Sequence, residues 1–228
     1  MRHYQAILFD LDGTLTDPAE GITRSVQYAL DFFQIQEPDL KKLHCFIGPP
    51  LTEAFMEFYG FSREQALQAV ARYRERFQNI GIFENRLYPG MQELLAHVSA
   101  AVPLAVATSK PTVFAERILE HFEIRRYFQF VGGSELDGRR TDKAEVIHYV
   151  LEQMQLTDRA DQVLMVGDRM HDLIGAEKNG LQAVGVLYGY GSQEELLRFS
   201  PMALAESVEH LEKILLGLLS DSTNRIKS

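Results

Sequence analysis

The chain has 228 residues, 46% hydrophobic and 24% charged, an ordinary globular composition with length enough for one large domain carrying an insertion. Its formal charge of −9, from 23 basic and 32 acidic side chains, argues against a nucleic-acid polymer as partner, because that binding needs clustered Lys and Arg. The single cysteine, Cys45, excludes an internal disulfide and a cysteine zinc site, and no apolar run approaches a membrane span, so a packed thiol and a cytoplasmic setting without leader or membrane contact are expected.

The first element is the apolar run Ala6–Phe9, followed at once by Asp10-Leu11-Asp12-Gly13-Thr14. Two carboxylates two residues apart at a strand end project to one side, while Leu11 turns back to the core. Gly13 permits a tight turn beneath them. A fold keeps such a repelling pair to hold a metal ion or two different protonation states.

Residues 17–85 then read as helix throughout. Asp17-Pro18-Ala19-Glu20 has the form of a capping box, with an apolar stripe of Ile22, Val26, Leu30 and Phe33 behind it. Ser62 with Gln65 opens a further helix carrying Leu67, Val70, Tyr73 and Phe77, and Phe46-Ile47-Gly48-Pro49-Pro50 interrupts the segment. This stretch is too long for a crossover and predicts a helical cap inserted into the core, returning near Tyr88-Pro89-Gly90.

Four more β-prone runs follow with helical stretches between them: Pro103–Ala107, Tyr127–Val131, Gln162–Val166 and Gln182–Leu187. Apolar strands alternating with helices predict an α/β fold, a Rossmann-like parallel sheet with the cap inserted. The core is expected over 1–16 and 86–215 and the cap over 17–85. A C-terminal tail is expected over 216–228, frayed from Ser220.

In open sheets of this kind sites form beyond the carboxyl ends of the strands, and polar residues stand there. Thr108 and Ser109 follow the run Pro103–Ala107, before a helix with Pro at its start, a position suited to an anion. Asp142 and Glu145 form a capping box that puts Lys143 in a helix's first turn. A cation there costs about 0.3–1 kcal/mol, which a bound phosphate would offset. Asp168 leaves the fourth strand and Asp172 follows on a helix. Hard oxygen ligands with no Cys or His set suit Mg²⁺, and His171 is expected beside the site, not in it.

The order Asp-x-Asp-Gly-Thr, Thr, Lys, Gly-Asp-x-x-x-Asp, over Asp10–Thr14, Thr108, Lys143 and Gly167–Asp172, resembles the haloacid dehalogenase superfamily. The cap placed after the first motif, with Gly48-Pro49-Pro50-Leu51 and Tyr88-Pro89-Gly90, is similar to that of phosphoglycolate phosphatases. Lys143 is followed by Ala144 where many of those enzymes have proline, and Gly133-Ser134-Glu135-Leu136-Asp137-Gly138 looks more like the relatives described as 5′-nucleotidases.

The resemblance implies a Mg²⁺-dependent phosphatase acting on a small phosphorylated metabolite or nucleotide. Asp10 would be the nucleophile and Asp12 the acid–base. Leu11, Thr108, Ser109 and Lys143 would bind the phosphate, with Thr108 and Lys143 also catalytic. Asp10, the Asp12 carbonyl, Asp168 and Asp172 would hold the metal. Asp12 favours a phosphatase over a dehalogenase, whose halide leaving group needs no acid. A phosphomutase of the β-phosphoglucomutase type is the alternative, and an aspartyl-phosphate signalling module a more distant one. In the cap, Arg24, Phe46 and Phe55 are candidates to meet the leaving group.

Overall fold

Continuous apolar runs make the centre of the sheet because both of its faces are covered. The computed structural model describes residues 3–223. Strand β1 (Ala6–Phe9) is buried along its whole length. Ile7 and Phe9 face one hydrophobic cluster while Ala6 and Leu8 face a second, the period-two alternation of a strand between two layers.

Beyond β1 the chain forms β2 (Thr16–Asp17), then leaves the core through α1 (Ala19–Phe32), a 3₁₀ segment at Leu40–Phe46, α2 (Leu51–Tyr59) and α3 (Arg63–Phe77), and returns by β3 (Arg86–Leu87). Strands β2 and β3 pair antiparallel, Thr16 with Leu87 and Asp17 with Arg86, so the helical insert hangs on a two-rung ribbon. The rest of the chain gives α4 (Met91–Ser99), β4 (Leu104–Pro111), α5 (Thr112–His121), β5 (Phe128–Ser134), α6 (Lys143–Gln153) and β6 (Val163–Gly167). It ends with α7 (Met170–Lys178), β7 (Gln182–Val186), α8 (Gln193–Leu197), β8 (Ala203–Ala205) and α9 (Val208–Thr223).

The main sheet has the order β5-β4-β1-β6-β7-β8 and every pairing in it is parallel. Chain direction across the sheet reverses at β1, which lies between β4 and β6, and the crevice at that point is where a doubly wound sheet binds its ligand. Helices α6 and α7 pack on one face through Val146, Ile147, Val150 and Ala176. The other face carries α4, α5, α9 and the insert. No helix among the described residues is long and apolar enough to cross a membrane.

Several expectations need correction. Helix α1 has no capping box: Pro18 is its N-cap, the Asp17 carboxylate accepts from the Ala19 amide at 3.1 Å, and Glu20 turns outward to Arg24. The box at Ser62 and Gln65 is formed in full. At Asp142 only half of one forms, its carboxylate accepting from the Ala144 and Glu145 amides. Leu67, expected in the buried stripe of α3, is 54% exposed because that stripe runs along Ala66, Ala69, Val70, Tyr73 and Phe77. Phe33 ends α1, its ring 4.6 Å from that of Phe61. The expected tail is helical as far as Thr223, since Leu211 and Leu215 bury α9 against the core; residues 224–228 of that tail lie outside the described part. Cys45 is half-buried and donates to the Lys42 carbonyl, as a packed thiol does.

Candidate active site

The ends of β1, β4 and β6, with the starts of α6 and α7, bring the predicted charged residues into one buried cluster. Asp10 follows β1 directly and is 4% exposed. Lys143 at the start of α6 donates to Asp10 Oδ1 at 2.7 Å and to the Ala107 carbonyl at 3.1 Å. Its Nζ also lies 2.8 Å from Asp172 Oδ1, an ion pair without hydrogen-bond alignment. Burial alone would pull this ammonium down, but the charges of Asp10 and Asp172 outweigh it and hold Lys143 above the ordinary lysine value. A surface lysine in a helix's first turn has none of these partners.

Asp10, Asp168 and Asp172 each offer one carboxylate oxygen within 4.8 Å of the others. Burial, with the charges of Asp172 and Asp10, raises Asp168 well above the usual carboxylate range. Burial likewise raises Asp172, against the opposing pull of Lys143. One lysine does not balance three buried carboxylates, and Asp172 Oδ1 accepts no hydrogen bond. Such an oxygen-rich, undercompensated pocket fits a hard divalent cation such as Mg²⁺. The Asp12 side chain lies outside this group, and His171 is outside it as well.

Glycine makes the approach of these acids possible. Gly13 has φ +86°, and a Cβ there would sit 2.2 Å from Asp168 Oδ2. Thr14 donates to Asp168 Oδ1 at 3.3 Å and the Tyr190 amide to Asp168 Oδ2 at 2.8 Å. The Leu11 side chain is buried in the core and its carbonyl accepts the turn amides of Leu15 and Thr16.

Asp12, two residues from Asp10, has different surroundings. Lys110 pairs with its Oδ2 at 2.9 Å, while its Oδ1 has no partner. Burial raises Asp12 above its ordinary value, and the nearby Lys110 opposes that shift. Sequence reasoning passed over Lys110, although strand alternation from Thr108 sends it to the same side. The structure also changes the setting of Thr108 and Ser109. Strand β4 continues to Pro111 and α5 begins only at Thr112, so Thr108 and Ser109 lie on an extended end and not at a helix N-terminus. The Thr108 hydroxyl accepts from the Lys110 amide at 3.2 Å, and the Ser109 carbonyl accepts from Ser134 Oγ at 2.8 Å.

A cavity of about 200 Å³ opens between the insert and the strand ends, reaching Asp12, Ser109 and Lys110 on the core side and Phe46, Tyr73 and Phe77 on the insert side. Of the three candidates in the insert only Phe46 lines it. Phe55 is fully buried inside the insert, and Arg24 pairs with Glu20 and Glu84.

Residues 7–186, most of the chain and every strand end just described, match the haloacid dehalogenase-like hydrolases. The chain belongs to that family. It is an enzyme of the hydrolase class, built on the α/β core and insert described above. A 5′-nucleotidase of Pseudomonas aeruginosa is 52% identical over 213 residues, covering 93% of this chain and 96% of that protein. The tyrosine-protein kinase PtkA of Mycobacterium tuberculosis is 36% identical, covering 92% of this chain and 72% of that one. A phosphoglycolate phosphatase of Colwellia psychrerythraea is 27% identical over 88% of this chain and 92% of its own length. Among solved structures, that of a predicted phosphatase from Clostridium acetobutylicum superposes with a TM-score of 0.91 at 48% identity, covering 94% of this chain and 99% of that one.

Proposed function

We propose that this hydrolase is a Mg²⁺-dependent phosphatase of small phosphomonoesters that works through an aspartyl-phosphate, with 5′-nucleotides as the favoured substrate class. The observation that carries the reading is the division of labour between two neighbouring carboxylates: Asp10 sits with Lys143 and the acidic cluster, and Asp12 sits with Lys110 at the cavity. The 52% identity to a 5′-nucleotidase supports the choice of leaving group over phosphoglycolate.

In this reading the Asp10 carboxylate attacks phosphorus and the P–O bond to the leaving group breaks as the aspartyl-phosphate forms. Asp12, raised by burial, gives its proton to the departing oxygen and then takes one from the water that hydrolyses the acyl-phosphate, so it ends each cycle protonated. Lys143 offsets charge that builds on the phosphoryl oxygens, and Thr108, Ser109 and the Leu11 amide orient them. Asp10, Asp168, Asp172 and the Asp12 carbonyl would hold Mg²⁺, which when bound neutralises charge shared between the carboxylates and the phosphoryl group. The insert acts as a cap that excludes bulk water.

The test is phosphate release from 5′-nucleotides, phosphoglycolate, sugar phosphates and a tyrosine phosphate, with and without Mg²⁺. Mg²⁺-dependent release that is fastest from a 5′-nucleotide is expected. Metal-independent release, or phosphate retained on the protein without turnover, would overturn the reading.

A further inference from the structure

We infer that Lys110 is a specificity-determining residue whose ammonium binds an oxygen of the leaving group, carried on the carbon next to the ester carbon. The inference rests on the phosphatase reading and deepens it. Lys143 already serves the Asp10 side of the site, where the phosphoryl group sits. Lys110 pairs with Asp12, the residue that meets the departing oxygen, and so stands on the leaving-group side.

Three features separate it from a mere counter-ion. An ammonium has three donors, and the carboxylate takes one of them at 2.9 Å. The ammonium also lies 4.4 Å from the centroid of the Phe77 ring, so the insert supplies one wall of its surroundings. And Lys110 lines the cavity together with Asp12, whose Oδ1 has no partner. A buried pair serving structure alone would satisfy its polar atoms within the fold.

The chemistry selects a class of ester. The scissile oxygen must lie at Asp12, so the Lys110 donor reaches an acceptor a short distance along the leaving group. A ribose ring oxygen in a 5′-phosphate and a carboxylate oxygen in phosphoglycolate both fall on that carbon. An alkyl phosphate such as propyl phosphate offers nothing there.

The experiment measures kcat/KM for ribose 5-phosphate, phosphoglycolate and propyl phosphate in the wild-type protein and in Lys110→Met, with Phe77→Leu as a second variant that keeps the cation and removes the ring. In Lys110→Met the two oxygen-bearing esters are expected to lose at least about tenfold more than propyl phosphate, the scale of one charged hydrogen bond. Phe77→Leu should shift the same ratio in the same direction by less. A larger loss for phosphoglycolate than for the sugar phosphate identifies a carboxylate as the preferred acceptor, and the reverse identifies a ring oxygen. Equal losses for all three esters would assign Lys110 to Asp12 alone and overturn the inference, as would a Phe77→Leu ratio identical to wild type. Absence of Mg²⁺-dependent turnover of every ester by the wild-type protein would instead bring down the phosphatase reading, and this subsite with it.

Discussion

Lys143 Nζ and Asp10 Oδ1 lie 2.7 Å apart although 133 residues separate them, and both side chains are about 5% exposed. This buried contact fixes where the Asp10 carboxylate points. Replacing Asp10 by Asn keeps the shape and a hydrogen-bond acceptor while removing the nucleophile. Phosphate release should fall on the order of 10³-fold or more, with thermal unfolding close to wild type. Colorimetric phosphate assay beside a melting curve checks both halves; turnover near wild type would remove Asp10 from the mechanism.

Lys143→Ala has a different signature. It strips the one close cation from two buried carboxylates, so stability should fall by about 3–5 kcal/mol unless they take up protons. Loss of charge stabilisation should lower turnover by about 10²–10³-fold. The fold cost should be smaller in acid, where the Asp172 carboxyl, held up by burial, is neutral. Denaturant unfolding at acid and neutral pH reads this out, and a pH-independent cost would contradict it.

Metal and pH are linked through Asp168 and Asp172. Burial raises both above the ordinary aspartate value of 3.8, helped at Asp168 by the charges of Asp172 and Asp10 and opposed at Asp172 by Lys143. A folded value above the unfolded one means their stabilising contribution is complete below 3.8 and is lost as pH rises through the raised values. Mg²⁺ should relieve that loss. The melting-temperature gap between Mg²⁺-loaded and chelator-treated protein is therefore expected to widen from acid to neutral pH, and Asp168→Ala should narrow it. A gap independent of pH would separate these carboxylates from metal binding.

Gly13 and Gly138 make a controlled comparison. Both have positive φ, +86° and +92°, but a Cβ at Gly13 meets Asp168 at 2.2 Å whereas one at Gly138 meets nothing within 4 Å. Alanine at either position should cost about 1–2 kcal/mol of backbone strain. Only Gly13→Ala should also displace Asp168 and weaken Mg²⁺ activation. Equal Mg²⁺ titrations for the two variants would refute that division.

Arg169 spans the two parts of the molecule, donating to the Ile47 carbonyl of the insert at 3.0 Å and to Glu195 of the core at 3.0 Å. Arg169→Ala should lower stability by about 1–3 kcal/mol through these lost bonds and speed proteolytic cutting at the β2–β3 ribbon. KM should rise as the insert spends more time away from the core. Unchanged cutting would show that the insert is held by other contacts.

What could be read in advance followed from local chemistry. The central strands are apolar on both faces, and Asp10, Asp12, Asp168 and Asp172 stand at strand ends or on the next helix turn, positions that spacing exposes. The β2–β3 ribbon and β8 are two and three residues long, too short to carry a periodic signal, and exist because tertiary packing pairs them. Lys110 sits two places from Thr108, yet its partners, Asp12 and Phe77, come from distant segments that no local pattern joins. Leu67 satisfies the helical period but falls at the edge of the stripe, where the cavity begins. Tyr190 is the other omission. Its amide holds Asp168, its hydroxyl donates to Asp17 at the ribbon, and its ring meets His44 of the insert.

Two of the contacts between core and insert are blind to the side chain of the residue they hold. Arg169 takes the carbonyl of Ile47, and Arg74 of the insert takes the carbonyl of Leu136 in return at 2.9 Å. Every residue offers the same oxygen at those places, so these two contacts survive substitution at positions 47 and 136, whereas ring contacts such as Phe77 with Phe114 do not. The covalent attachment is a ribbon of two paired positions, so residues 18–85 can be exchanged as one segment only together with the rings they pack against, such as Phe114. A graft of that segment from a relative should exchange the inner wall of the cavity and leave the contact of Lys143 with Asp10 in the core in place.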